Sequence, residues 1–332
     1  MILLVIDEKE AGQRLDKYLH RYMPLAGSGF LYKMLRKKNI TRNGARADGS
    51  EKLTAGDEIR LFLADETVRK FQSGAASHLS FRKIEVLFEN DAVLAVNKPA
   101  GILTQRDKSG ENALSDDVLG YLVKNGNVTE ESLLHFRPSP ANRLDRNTSG
   151  IVLFGKTLAG QQEIAAVIRE RAVRKHYAAL VSGSFPETRK DQAYLLKDSA
   201  TNRSRILNHP ADGAEEIRTT FVPVRSFRTA GDGQRVWTLL DVELHTGKPH
   251  QIRARLADLG TPVAGDPKYG DPGANALMRS RYGLRSQFLH AYRMEFAGDG
   301  SVPDVLKGLT LTAPYPPVLD RILKDMENGK QE

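Results

Sequence analysis

Asp145 is the residue in this chain best placed to do chemistry. It lies in Ala141-Asn142-Arg143-Leu144-Asp145-Arg146-Asn147-Thr148-Ser149-Gly150, directly before the apolar run Ile151-Val152-Leu153-Phe154. The run is β-branched and aromatic, which predicts a buried strand ended by Gly155-Lys156. Asn147-Thr148-Ser149-Gly150 is turn chemistry, because short polar side chains bond the local backbone and glycine accepts positive φ. Asp145 is therefore expected on a tight loop feeding a buried strand, with Arg143 and Arg146 as cationic neighbours. A carboxylate so held has a fixed position and cationic neighbours that keep it ionised; an isolated Arg-Leu-Asp triplet, however, far more often caps a turn or pairs with an arginine.

Three other groups stand out. Tyr177 is central in Lys175-His176-Tyr177-Ala178-Ala179-Leu180-Val181-Ser182-Gly183, an alternating strand. Arg253 lies in Thr246-Gly247-Lys248-Pro249-His250-Gln251-Ile252-Arg253, where Pro249 suits a first helical turn and Gly260 its end. His245 and His250 lack metal-motif spacing. Lys98, in Asn97-Lys98-Pro99-Ala100-Gly101, could meet a phosphate or be structural.

Composition bounds the remainder. A chain of 332 residues buries a sizeable core and is expected to hold more than one domain. The absence of cysteine excludes disulfides, thiolate metal sites and a cysteine nucleophile. No apolar run reaches the roughly 20 residues that span a bilayer, and the start lacks a basic n-region. A cytoplasmic, bacterial-style protein is expected, with no membrane contact and no obligate protein partner evident. The net charge is +8, and residues 14–46 carry nine Lys/Arg against the single acid Asp16, an excess of the same size. Such concentration predicts a polyanionic partner.

In that basic region Leu15, Tyr18, Leu19, Tyr22 and Met23 have helical spacing, and Pro24 ends the helix. Ser28 is expected to cap a second helix with Phe30, Leu31, Met34 and Leu35 on one face and Lys33, Arg36 and Lys37 on the other. Asn43-Gly44 predicts a hairpin. Residues 64–80 are small and polar and read as a flexible linker. Residues 184–236 are weakly patterned, with several short strands by alternation.

The string N-R-L-D-R-N-T-S-G at 142–150 closely resembles the loop H-R-L-D-x-x-T-S-G of RluA-type RNA pseudouridine synthases, with Asn142 in place of histidine. K-x-Y-x-A-L-V-x-G at 175–183, T-G-K-P-H-Q-I-R at 246–253, with Lys248 replacing an arginine, and N-K-P-A-G at 97–101 resemble further family motifs in the family's order. R-L-D-K-Y-L, Y-K-M-L-R-K-K-N-I and L-T-A-G-D-E-I resemble a ribosomal-protein-S-four-like RNA-binding domain. Arg-Leu-Asp recurs at 14–16, at a helix start, so Asp16 is expected to be a helix-terminus charge.

The resemblance implies an α+β fold: a small α/β RNA-binding domain at 1–63, a linker at 64–80, and a mixed, mainly antiparallel catalytic domain at 81–325. It implies Asp145 as catalytic residue, Tyr177 against the target base, Arg253 paired with Asp145, Arg143 stabilising the rearranged RNA and Leu289 lining the uracil pocket. Lys33, Arg36 and Lys37 would grip phosphates. The chemistry implied is conversion of uridine to pseudouridine, most like the RluC/RluD branch that modifies large-subunit ribosomal RNA. That isomerisation gains and loses no atoms, so no cofactor is implied. Asp145 either attacks the anomeric carbon or removes a sugar proton, and both routes stay open. The competing expectation is a non-catalytic RNA-binding or ribosome-assembly protein on a synthase-like scaffold.

Overall fold

The structure, a computed structural model, describes residues 1–328 apart from 9, 73–78, 108, 130–131, 199–202 and 229–234. The chain begins with β1 (Ile2–Val5), α1 (Leu15–Tyr22), α2 (Ser28–Arg36), β2 (Ile40–Arg42), β3 (Ala45–Arg46), β4 (Glu58–Leu61) and α3 (Asp65–Gln72). The four strands form a sheet in the order β1-β4-β2-β3, and Asn43-Gly44 turns the β2–β3 hairpin with both residues at positive φ. Leu15, Tyr18 and Leu19 of α1 and Leu31 and Leu35 of α2 bury the apolar faces expected of them. Gly27, not Ser28, occupies the cap position of α2; Ser28 is its first residue and its hydroxyl meets His20.

The expected linker is partly helix. Val68 of α3 is buried in the N-terminal core, and Phe71 packs on Phe30 with ring centroids 4.8 Å apart. Asp65 and Glu66 in the first turn and Arg69 and Lys70 in the last complement the helix dipole. The small unit thus runs to Gln72, and the remaining linker reading falls mainly on residues 73–78, outside those described.

The larger unit follows as β5 (Glu85–Glu89), β6 (Val93–Lys98), α4 (Leu114–Lys124), α5 (Ser132–His135), β7 (Ser149–Gly155), α6 (Leu158–Arg169) and β8 (Val173–Ser182). It continues with β9 (Arg189–Asp198), β10 (Arg203–Leu207), β11 (Glu215–Arg228), β12 (Val236–Leu244), α7 (Gln251–Asp258), α8 (Pro272–Tyr282), β13 (Leu289–Phe296), β14 (Thr310–Thr312) and α9 (Pro317–Asn328). One sheet runs β10-β9-β11-β12-β8-β13-β7-β6-β5, with β14 beside β13. Only β7 and β13 pair in parallel among the described residues; the other pairs are antiparallel, so the α+β, mainly antiparallel reading holds. β9 and β11 are longer than the short strands expected, because their polar, partly exposed faces blur the alternation. Pro223 sits at a register shift in β11, where a missing ladder donor is tolerated.

β7 is buried on both faces, which explains its uninterrupted apolar run. Val152 and Phe154 join Tyr177, Ala179 and Val181 of β8 in a core shared with α4 and α7, while Ile151 and Leu153 pack with Ile164 and Val167 of α6. Leu180 and Trp237 meet α8 and α9, and Met326 carries that core one residue past the expected domain end. Alternation along β7 and β8 thus commits the Tyr177 face to the side where α7 delivers Arg253.

Gly150 shows why the loop before β7 ends in glycine. Its φ is +120°, and a Cβ there would lie 2.2 Å from the carbonyl oxygen and 2.6 Å from the nitrogen of Ala291, its β13 partner. Backbone on both sides cannot yield as a side chain would. Gly150→Ala is expected to destabilise the protein by about 2–4 kcal/mol, from overpacking and left-handed strain together, read as a lower denaturant midpoint. An unchanged midpoint would show that the β7–β13 junction relaxes freely.

Candidate active site

The loop bearing Asp145 is fixed by side chains that reach its backbone from several elements. Asn142 acts as a bridge: its Nδ2 donates to the Ile151 carbonyl at 3.0 Å, and its Oδ1 accepts from Leu153 N at 2.8 Å. A neutral imidazole also offers one donor and one acceptor, so the departure from histidine preserves the inventory. Thr104 Oγ1 accepts from Leu144 N (3.1 Å) and donates to Leu144 O (2.9 Å). Ser149 Oγ meets His290 Nδ1 at 2.8 Å. Because His290 Nε2 faces the Ala313 carbonyl, it donates there and Nδ1 accepts from Ser149.

Lys98 settles as a structural residue. It is fully buried, and its Nζ donates to the carbonyls of Pro99 (3.0 Å), Ile102 (2.8 Å) and Arg146 (2.9 Å). Burial pushes the Lys98 ammonium down to about 7, against the pull of the Asp145 charge. Three carbonyl acceptors match the three donors of an ammonium, so the charged form is the one this cage fits. The bond to Arg146 O ties the strand before Pro99 to the residue after Asp145.

Asp145 itself is a quarter exposed and receives Arg253 Nη1 on Oδ2 at 2.8 Å. Neither cation flanking it in sequence pairs with it among the described contacts. Arg146 pairs with Glu111 at 2.6 Å, and Arg143 is exposed without an ion-pair partner among the described residues. Arg253, 108 positions away, is the cation that holds Asp145. Its planar fork grips Asp266: Nε to Oδ2 at 2.7 Å and Nη2 to Oδ1 at 2.8 Å. Asp145 takes the remaining nitrogen.

Asp266 was hidden in sequence inside a Pro/Gly loop. It is fully buried, and the backbone N–H groups of Lys268 (2.8 Å) and Tyr269 (3.1 Å) also donate to it. Burial alone would raise its carboxyl, but the Arg253 hydrogen bonds and charge, helped by those amides, hold it below the usual range. The same contacts raise Arg253 against its own burial. Tyr269 lies under the guanidinium, 5.4 Å from carbon to ring centroid, and its hydroxyl meets His250 Nδ1 at 3.0 Å. His250, at positive φ before α7, therefore supports the wall of the site through Tyr269.

Tyr177 and Leu289 are buried in one cluster with Leu144 and Ile252. Leu289 pairs with Ala179 across the β8–β13 ladder and Ala291 with Tyr177, so both side chains belong to one face. Burial and then the Asp145 charge push the Tyr177 phenol up, which keeps it neutral. The result is an apolar floor with one carboxylate at its edge and a cation behind that carboxylate. Lys33 and Arg36 of α2 and Lys37 just after it are exposed, far from this floor in sequence and in no ion pair among the described residues.

Residues 92–258 match the family model described as RNA pseudouridylate synthase, half of the chain and the part that holds Asp145, Tyr177 and Arg253. The chain belongs to the RNA pseudouridylate synthase family. It is 31% identical to the ribosomal large subunit pseudouridine synthase C of Pasteurella multocida (strain Pm70), over 99% of this chain and 94% of that one. The protein of the same name from Escherichia coli (strain K12) is 30% identical over 99% and 97%. Human RNA pseudouridylate synthase domain containing 4 shares the fold, with a TM-score of 0.56 over 73% of this chain and 93% of that chain at 17% identity. The synthase is thus an isomerase of RNA uridine, and the RluA-type resemblance read from its motifs stands.

The Asp266 geometry yields a stability test. Asp266→Asn leaves a buried guanidinium with one carboxylate instead of two, and a loss of about 3–5 kcal/mol is expected near neutral pH. The Asp266 pKa is lowered on folding, so its contribution is complete above the unfolded value of about 4 and disappears as pH falls through the folded value. The gap between wild type and Asp266→Asn in urea melts should therefore narrow on acidification below about pH 4. A gap that is constant with pH would show that the lost stability is not that of the ionised carboxylate.

Proposed function

We propose that this synthase isomerises specific uridines of large-subunit ribosomal RNA, with Asp145 as the group that acts on the sugar. The observation that carries the residue assignment is the Asp145–Arg253 contact at 2.8 Å, at the edge of the apolar floor made by Leu144, Tyr177 and Leu289. The names of the full-length relatives support the choice of RNA. That substrate implies a cytoplasmic setting, and among the described residues no helix is long and apolar enough to cross a membrane.

A uridine inside a stem cannot reach a side chain, so it must be turned out of the stack into the site. Tyr177 and Leu289 then border the uracil, and the neutral phenol gives it an aromatic wall without adding charge. Asp145 reaches the sugar either as nucleophile at the anomeric carbon or as base toward a sugar proton; the glycosidic bond breaks, the uracil turns, and it rejoins through ring carbon 5. Arg253 orients the carboxylate for either route, and its own position is fixed by Asp266 rather than by the substrate. Arg143, exposed in the same loop, would stabilise the RNA from which the base has left. Lys33, Arg36 and Lys37 supply phosphate contacts that carry affinity with little sequence information.

Asp145→Asn is expected to lower single-turnover pseudouridine formation by at least about a thousandfold while changing RNA affinity only a few-fold. Near-wild-type turnover would remove Asp145 from the chemistry. Chemical mapping of pseudouridine in a strain lacking the protein should show sites lost from large-subunit ribosomal RNA. Loss confined to transfer RNA would reject that substrate.

A further inference from the structure

His250 has two features that its support of Tyr269 leaves unexplained. It enters α7 with φ +58° and ψ +14°, left-handed backbone that glycine or asparagine adopts with less strain. An imidazole kept in such backbone points to a use for the side chain itself. The ring is also tied at one nitrogen only. Nδ1 meets the Tyr269 hydroxyl at 3.0 Å, whereas Nε2 has no hydrogen-bond partner among the described residues, and His250 is partly exposed.

The surroundings of Tyr269 fix the tautomer. Ser204 N donates to the Tyr269 hydroxyl at 2.7 Å, and a backbone N–H can only donate. The phenol's own hydrogen then has one acceptor among the described residues, His250 Nδ1. A neutral imidazole that accepts at Nδ1 carries its hydrogen on Nε2. Burial favours that neutral form: it lowers the His250 imidazole against the pull of the Asp145 charge, and the Arg253 charge adds to the effect. Ser204 secures the arrangement a second time, because its Oγ donates at 3.0 Å to the carbonyl of Pro249, the residue before His250. β10, from the weakly patterned part of the chain, thus holds both the backbone before the imidazole and the hydroxyl that faces it.

The ring belongs to the site. Tyr269 lies 5.4 Å from the Arg253 guanidinium carbon and 5.6 Å from the His250 ring centroid, so one aromatic ring supports both side chains. Arg253 in turn holds Asp145, and the charges that act on the His250 ring are those of Asp145, Arg253, Lys268 and Asp266. An N–H there without a protein acceptor suits an acceptor that the substrate brings.

The chemistry selects which one. As the bond between the anomeric carbon and ring nitrogen 1 breaks, its electron pair passes to the uracil, and charge spreads onto the carbonyl oxygens. A donor aimed at one of them binds more strongly at that moment than before it. A histidinium would give up the Tyr269 hydrogen and compete with the sugar for Asp145. A neutral donor does neither.

We propose that His250 touches the target nucleotide, donating from Nε2 to a carbonyl oxygen of the uracil while the glycosidic bond breaks, with Tyr269 and Ser204 holding it in the donor tautomer. The inference deepens the reading of Asp145 as the group that acts on the sugar, and rests on it. His250 keeps its proton throughout.

The test is single-turnover pseudouridine formation by the full-length protein, in saturating excess over total RNA from a strain lacking it. Turnover is followed at whichever uridines the wild type converts, so the comparison holds whatever RNA they belong to. Asparagine suits left-handed backbone, and its amide oxygen reaches where Nδ1 lies, but it sets no donor at Nε2; glutamine sets an amide N–H there. His250→Asn should lower the saturated rate about 10- to 100-fold, and His250→Gln should stay within about threefold of wild type. His250→Met has the reach of glutamine without the donor and should fall with asparagine. Melting curves establish which variants are folded, and the Gln and Met pair decides the matter if the asparagine variant is not. A near-wild-type rate in His250→Asn would reduce His250 to a prop for Tyr269 and overturn the proposal. Equal rates in folded Gln and Met variants would also overturn it, as would a loss confined to Kd. Asp145→Asn, run in parallel, separates the two failures. If it turns over normally, the site itself is misassigned; if it is dead while His250→Asn and His250→Met are normal, the role of His250 alone is refuted.

Discussion

A single guanidinium lies between two carboxylates, and the catalytic unit is arranged around it. Arg253 is nearly buried, and a cation there is costly unless its donors are filled. Asp266 fills two of them in fork geometry and is itself pinned by two backbone amides. With contacts of that quality on one side, the remaining nitrogen has a fixed direction, and Asp145 is what it meets. Lysine would fail at this position because a point charge cannot grip one carboxylate at two points and present a third donor to another. Asp145, by contrast, keeps a quarter of its side chain open, which the proposed action on a sugar would require.

The same logic explains why so much of the loop's support goes to backbone and so little to the Asp145 side chain. Lys98, Thr104, Asn142 and the Ser149–His290 pair fix peptide groups on either side of it. The carboxylate is thereby placed by its own main chain and oriented by one external cation, leaving the second oxygen free of any protein partner among the described contacts. Stiff backbone also lets β7 insert between β6 and β13, since Gly150 brings two chains to a separation that no side chain would permit.

What the sequence disclosed and what it concealed follow from the range of the interactions. β7 was legible because a strand buried on both faces must be apolar throughout, and α1 and α2 because their faces repeat every turn. Tyr177 and Arg253 emerged from motifs, and the structure brings both to Asp145. Asp266 did not emerge: it sits in a loop, where no periodicity marks it, and its value lies in a partner 13 residues away on a helix. α4 and α8 were missed although their signals were present. Leu114, Val118 and Leu122 repeat at helical spacing, and Asp271 caps α8 before Pro272, with Gly283 closing it at positive φ. The supposed tether concealed α3 because its charges read as solvated polarity, whereas Val68 and Phe71 supply the buried side.

Charge counting has a comparable limit, and the N-terminal unit makes it concrete. The nine cations of residues 14–46 looked like one surface, yet they have different fates. Arg14 is turned to Asp16, which also accepts from the Tyr32 hydroxyl at 2.9 Å, so the repeated Arg-Leu-Asp triplet is structural here. Arg42 joins Asp57, an acid from outside the cluster. Arg21 turns toward the catalytic unit, and Lys33, Arg36 and Lys37 project into solvent. A uniform patch would attract a polyanion in any orientation. Cations that are spent on neighbouring carboxylates cannot also attract a polyanion, so the fold narrows the excess counted in the sequence to the ones left facing solvent.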